Sequence, residues 1–136
     1  MKLIVCLDEL GGMMFNHRRQ SRDRVVTEDI LHMVGEGRLL MAGYSESLFS
    51  DCGREICISE NFLDSATEDD WCFVEDRSLQ PYVDRVETLV IYHWNRRYPS
   101  DFRFDVDWKR EGFVLIEQVE FQGFSHEKIT KEIYRK

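Results

Sequence analysis

Residues 2–7 read KLIVCL, an unbroken apolar run that Asp8-Glu9 closes just before the Gly11-Gly12 turn. A strand with one wet face alternates apolar and polar residues, whereas an unbroken run marks a strand buried on both faces, as in parallel sheets. The signature returns at residues 38–43 (RLLMAG), 55–59 (EICIS), 71–74 (WCFV) and 88–94 (TLVIYHW). Between the first two runs, a loop through Arg24 leads to a short helix with Thr27 as its expected cap. Glu28 and Asp29 fall in the first turn, where the helix dipole favours acids, and Gly35 or Gly37 ends it. Ser45 is the expected cap of a one- or two-turn helix through Phe49. Residues 61–70 read as an acidic surface loop, and 77–86 as a short helix with Pro81 in its first turn. Residues 113–121 and 128–134 alternate in part and meet near Gln122-Gly123, which predicts an antiparallel pair at a sheet edge. Buried strands separated by short helices and closed by a β ribbon make an α/β sandwich with a mixed sheet.

The chain of 136 residues is long enough to bury one core, and no linker, repeat or low-complexity stretch divides it, so residues 1–136 are expected to form one domain. With 43% hydrophobic and 32% charged residues the composition is that of a soluble globular protein. A net charge of −8 argues against non-specific binding to nucleic acid and to anionic membranes. The apolar start is too short for a signal peptide and nothing approaches a membrane span, so the expected location is the cytoplasm. Cys6, Cys52, Cys57 and Cys72 lack CxxC spacing and sit mostly in strand-like runs, as small buried hydrophobes of a reducing compartment do. His17, His32, His93 and His126 show neither HxH nor HxxxH spacing, so no metal site is expected. The HxHxDH zinc cluster of ribonuclease Z-type nucleases is absent, as are a P-loop and a Rossmann glycine motif. No Ser-His-Asp or Cys-His order is visible.

The order of the pieces resembles dihydrofolate reductase. MKLIVCLDELGG (residues 1–12) resembles that family's opening strand and its turn into the mobile loop, and LLMAGYSESLF (39–49) resembles "VIMGRxTxESLG". EICISE (55–60) resembles the next strand, "NIVLSR". TLVIYHWNRRYPSDFRF (88–104) follows "LYLTxIxxxxxGDxxFP" without a gap, with Asp101 and Phe104 on its Asp and Phe. GFSHEKITKEIYRK (123–136) keeps the Ser-His of the last hairpin. The resemblance spans nearly the whole chain. It implies a dihydrofolate reductase-like three-layer sandwich, with a mixed, mainly parallel central sheet and a C-terminal antiparallel β ribbon.

The departures from that family bear on activity. Its enzymes carry Gly-Gly after a central strand, where backbone approaches the nicotinamide nucleotide; here Glu75-Asp76 follow Cys72-Phe73-Val74. The family's phosphate-holding "GR" is Ala42-Gly43, and its Ser-Arg is Ser59-Glu60, a cation reversed to an acid. Each lost charge-assisted bond costs on the order of 2–5 kcal/mol. The span from Ser59 to Phe73 is too short for the helix on the adenine side. On the folate side, Asp23, Glu28 and Asp29 lack the local sequence of the family's buried acid, and its pterin-linked Thr is Tyr92. The resemblance therefore implies the fold with no nicotinamide cofactor and no catalytic residue carried over.

One segment opposes the acidic average: residues 17–24 hold Arg18, Arg19, Arg22 and Arg24 against the single acid Asp23. Guanidinium forks suit phosphate and carboxylate, and their planes stack on bases. By resemblance this loop lies at the pocket mouth, with Tyr44 and Ser45 on its edge; Tyr92 shares a strand face with Trp94. The expected ligand-binding set is Asn16, Arg18, Arg19, Gln20, Arg22, Asp23, Tyr44, Ser45 and Tyr92. The expected function is non-catalytic binding of an anionic, nucleotide-like small molecule, for sequestration or sensing. Two alternatives stand beside it: a divergent NAD(P)H-dependent reductase, and a protein-interaction module that forms a homodimer through its sheet edge.

Overall fold

A computed structural model describes residues 1–50 and 52–136. Strand β1 (Lys2–Leu7) lies inside a seven-stranded sheet with β4 (Leu39–Met41), β5 (Cys57–Ile58), β6 (Trp71–Phe73), β7 (Thr88–His93), β9 (Val114–Phe121) and β10 (Ile129–Arg135), in the order β5-β4-β6-β1-β7-β10-β9. The strands from β5 to β7 are parallel, and β10 and β9 add antiparallel. Lys2 pairs with Thr88 and Leu7 with His93, so the two strongest apolar runs lie side by side.

Unbroken hydrophobicity has the expected cause. Leu3, Val5 and Leu7 enter a core shared with Leu89, Ile91 and Val83, while Ile4 enters the opposite core with Val90, Tyr92 and Phe73. That second core is covered by helix α1 (Arg24–Val34) through Val26, Ile30 and Val34. The one-turn helix α2 (Phe62–Ser65) covers the first. At the far edge β9 leaves Val114, Leu115, Ile116 and Val119 exposed.

Several local expectations change. The segment expected as a loop forms a hairpin of β2 (Gly12–Phe15) and β3 (Arg18–Arg19), turning at Asn16 (φ 52°) and His17 (φ 62°). Two left-handed residues match the right-handed twist of paired strands. With β8 (Phe102–Arg103) it makes a small antiparallel sheet. Helix α1 starts earlier than expected, because Asp23 rather than Thr27 is its cap, its Oδ1 accepting from the Val25 N–H at 2.9 Å. Residues 61–70 are not merely loop: Phe62 and Leu63 of α2 are buried, and Asp70 accepts both Arg38 Nε (2.9 Å) and Nη2 (2.7 Å). The helix expected after Ser45 is a 3₁₀ segment, Gly43–Phe49, without a side-chain cap, and a second 3₁₀ segment, Gln80–Arg85, carries Pro81 at its start. The cysteines are free thiols; Cys72 is buried, and burial pushes its pKa up to about 12. Among the described residues no helix is long and apolar enough to cross a membrane.

Candidate functional site

Parallel α/β sheets bind ligands outside the carboxyl ends of their strands. Here those ends deliver Asp8 after β1, Ala42–Ser45 after β4, Glu75-Asp76 after β6, and Trp94 to Ser100 after β7. The β2–β3 hairpin reaches this edge and fastens to it through Arg19. Arg19 Nε and Nη2 donate to Glu75 Oε2 (2.9 Å) and Oε1 (3.1 Å), and Ser45 Oγ donates to Oε1 at 2.7 Å. The Tyr44 hydroxyl accepts the Arg19 backbone N–H at 2.9 Å, its carbonyl accepts Nη2 at 3.1 Å, and its ring lies 4.6 Å from the guanidinium carbon. Burial works against the Arg19 charge, yet the Glu75 carboxylate raises its pKa. With side-chain exposures of 18% and 10%, this is a largely desolvated clasp.

The clasp occupies the place where the resemblance calls for glycines. Glu75 turns inward under the hairpin; Asp76 instead lines a cleft of about 500 Å³ with Met14, His17, Tyr44, Asp101 and Phe102. The charge-reversed Glu60 also has a partner: its Oε2 accepts the Gly43 N–H at 2.9 Å, and Arg77 pairs with Oε1 at 3.3 Å. The Gly43 backbone donor after β4 is thereby taken by a carboxylate of the chain.

The arginines expected as one loop are dispersed. Arg18 projects outward and lines a cleft of about 330 Å³ with Phe15, Asn16, Arg19, Gln20, Tyr98 and Pro99. Tyr98 and Pro99 also border a neighbouring cleft that holds Arg97 and Arg103. Arg22 lies apart, with Arg24, Thr27 and Glu28, in a fourth cleft between α1 and the first 3₁₀ segment. Among the described residues Arg18, Arg22, Arg97 and Arg103 belong to no ion pair. Thus Asn16, Arg18, Arg19 and Gln20 come together, Tyr44 and Ser45 meet them only through Arg19, and Arg22 does not. Gln20 ties Asp8 (3.1 Å) to the Pro99 carbonyl (3.2 Å).

Two expected ligand residues serve the interior instead. The Tyr92 side chain is buried, and its hydroxyl donates to Asp29 Oδ2 at 2.6 Å, beside Lys131 Nζ at 2.9 Å. Alternation on β7 turns Tyr92 toward α1, away from the hairpin. Asp23 is also enclosed, for besides capping α1 it accepts the Phe124 and Ser125 N–H groups at 2.9 Å each. Burial raises its pKa, but the hydrogen bonds from His126 and these amides prevail and hold the carboxyl well below the usual carboxylate range.

Asp23 opens a constellation that motif spacing missed. His126 Nδ1 lies 2.9 Å from Asp23 Oδ2, and His126 Nε2 lies 2.9 Å from Ser21 Oγ. The Tyr98 hydroxyl stands 3.1 Å from Nε2 and 3.4 Å from the serine oxygen. Trp94 stacks on the imidazole at a centroid distance of 4.6 Å. His126 is 105 residues from Ser21, so the only local signal was a serine two positions before an aspartate.

No protein-family model and no curated protein matches the sequence. Among solved structures, the dihydrofolate reductase from Enterococcus faecalis, complexed with NADP(H) and RAB-propyl, is similar with a TM-score of 0.69. It shares 11% sequence identity, and the match covers 98% of this chain and 94% of that one. At that identity the likeness is one of architecture. The chain has a dihydrofolate reductase-like fold.

Proposed function

We propose that this protein binds a small anionic, nucleotide-like molecule at the carboxyl edge of its sheet and lacks nicotinamide-dependent reductase activity. The observation that carries the reading is the division of labour among the arginines. Arg19 is consumed by Glu75, whereas among the described residues Arg18, Arg97 and Arg103 have no ion partner and surround two adjoining clefts that share Tyr98 and Pro99. On a chain of net charge −8, such a face focuses anions locally while the remaining surface repels them. Tyr98 and Phe15 offer rings to a base, and the Asn16 side-chain amide offers neutral hydrogen bonds. The structural neighbour is complexed with NADP(H), a nucleotide. In this chain Glu75, Asp76 and Glu60 stand at positions where the resemblance implies glycines and a cation for a nicotinamide cofactor.

The test is thermal stability in the presence of AMP, ADP, ADP-ribose, a cyclic dinucleotide and NADPH. A ligand at about 100 times its Kd adds about 2.7 kcal/mol, a rise in Tm on the order of 10 °C for a domain of this size. One of the nucleotides is expected to give that rise and Arg18→Ala/Arg103→Ala to abolish it, with NADPH inactive. A rise with NADPH accompanied by its oxidation in the presence of dihydrofolate would refute the reading.

A further inference from the structure

The Ser21, His126 and Asp23 side chains lie outside the Arg19–Glu75 clasp and go unused in the anion-binding reading. We infer that they form a nucleophilic triad, which makes this protein a hydrolase of small carboxylic esters bearing a negative group. A triad is recognised by geometry and roles rather than by sequence order. Its first requirement is a hydroxyl within hydrogen-bond reach of a base, and Ser21 Oγ lies 2.9 Å from His126 Nε2. Its second is a carboxylate that orients the base, and Asp23 Oδ2 lies 2.9 Å from Nδ1. An ionised carboxylate only accepts, so Nδ1 carries the proton and the neutral ring presents Nε2 to the serine as an acceptor. Asp23 is held rigidly for this task by the Val25, Phe124 and Ser125 amides, and Trp94 stacked on the ring fixes its plane.

Burial falls where the chemistry needs it. Asp23 and His126 are 3% and 4% exposed, which strengthens their mutual interaction, while Ser21 is half-buried, the most accessible of the three. Beside the serine, the Tyr98 hydroxyl lies 3.1 Å from His126 Nε2 and 3.4 Å from Oγ; once Nε2 has taken the serine proton, that hydroxyl donates to the oxyanion forming next to Oγ. Gln20 precedes Ser21 in the chain and Tyr98 touches it in space; both line the cleft that holds Arg18, Phe15 and Pro99. Phe15 and Pro99 supply an apolar wall for an acyl chain, and Arg18 a partner for a terminal carboxylate or phosphate.

In the reaction the Ser21 Oγ–C bond forms at the acyl carbon as the hydroxyl proton passes to His126 Nε2. The C–O bond to the alcohol then breaks, and the departing oxygen takes that proton. Water, the second substrate, gives a proton to Nε2 and adds its oxygen to the acyl carbon. The Oγ–C bond breaks, and the serine recovers the proton. His126 and Ser21 are the catalytic residues, and Asp23 is a positioning residue.

The full-length protein is treated with a fluorophosphonate probe and mapped by mass spectrometry, and hydrolysis of p-nitrophenyl butyrate and of the mono-p-nitrophenyl ester of succinate is followed. The expected result is a single adduct on Ser21, lost in Ser21→Ala and formed up to about 10⁶ times more slowly in His126→Asn. Arg18→Ala is expected to raise KM at least tenfold for the succinate ester alone. Should His126→Asn fail to fold, Ser21→Ala, which removes one half-buried hydroxyl, carries the test through its loss of hydrolysis with a cooperative melt retained. Absence of a Ser21 adduct under conditions that label a known serine esterase overturns the assignment, as does equal labelling in a folded His126→Asn variant. Nucleotide binding in the thermal assay involves neither Ser21 nor His126, so the two readings fail separately.

Discussion

Replacing Arg19 with alanine tests the clasp that ties the β2–β3 hairpin to Glu75. The variant removes two donors at 2.9 and 3.1 Å from Glu75 and leaves a carboxylate, itself only 10% exposed, with Ser45 Oγ at 2.7 Å as its one remaining side-chain donor. An exposed pair of this kind would contribute less than about 1 kcal/mol. For a largely buried pair, removal of one partner strands the other and costs about 3–5 kcal/mol. Arg19 at 18% exposure is not fully dry, so the lower end, about 3 kcal/mol, is expected. Arg19 also secures the hairpin through Tyr44, adding about 1.5 kcal/mol for the charge-assisted hydrogen bond from Nη2 to the Tyr44 carbonyl. Arg19→Met/Glu75→Met should regain most of the loss, because neither side chain then lies buried with an unmet charge. Urea unfolding followed by far-UV circular dichroism reads all three variants. A cost below 1 kcal/mol for Arg19→Ala, or a double variant no better than the single one, would refute the desolvated clasp.

Gly123→Ala should destabilise by about 1–3 kcal/mol, since an added Cβ would meet Asp23 Oδ2 at 2.5 Å and Ile129 Cδ1 at 2.7 Å, both held in place; thermal melting reads this. His17→Gly should stabilise by about 0.5–1 kcal/mol in urea titration, because φ 62° strains a side-chain-bearing residue and glycine relieves it. Asp23 predicts the acid response: its folded pKa lies below the unfolded value, so its stabilisation is present above the unfolded carboxylate pKa and is lost as pH falls from about 5 downward. Urea midpoints between pH 7 and 2 should therefore fall more steeply for the native chain than for Asp23→Asn, and parallel slopes would contradict that assignment.

Much of the scaffold was legible in the chain. Residues 2–7 and 88–94 announced buried parallel strands because burial on both faces leaves no room for alternation, and the ribbon showed itself by partial alternation around Gln122-Gly123. Local signals were misread where one feature masked another. Histidine at a left-handed position concealed the tight turn at Asn16-His17, and surrounding acids concealed the buried Phe62-Leu63 pair of α2.

The roles of the polar residues were decided by tertiary structure. Four arginines within residues 17–24 looked alike in sequence, yet strand pairing aims Arg18 outward and Arg19 at Glu75, 56 positions away. Asp23 and Tyr92 looked like pocket residues and proved to be interior ties to His126 and Asp29. Ser21 gained a base only when the last hairpin docked on the start of α1, bringing His126 across 105 residues. Apolar periodicity is a local property, imposed on each strand by the plane in which it lies. The partner of a charged or nucleophilic side chain depends on which distant backbone the topology carries alongside it, and no spacing along the chain encodes that.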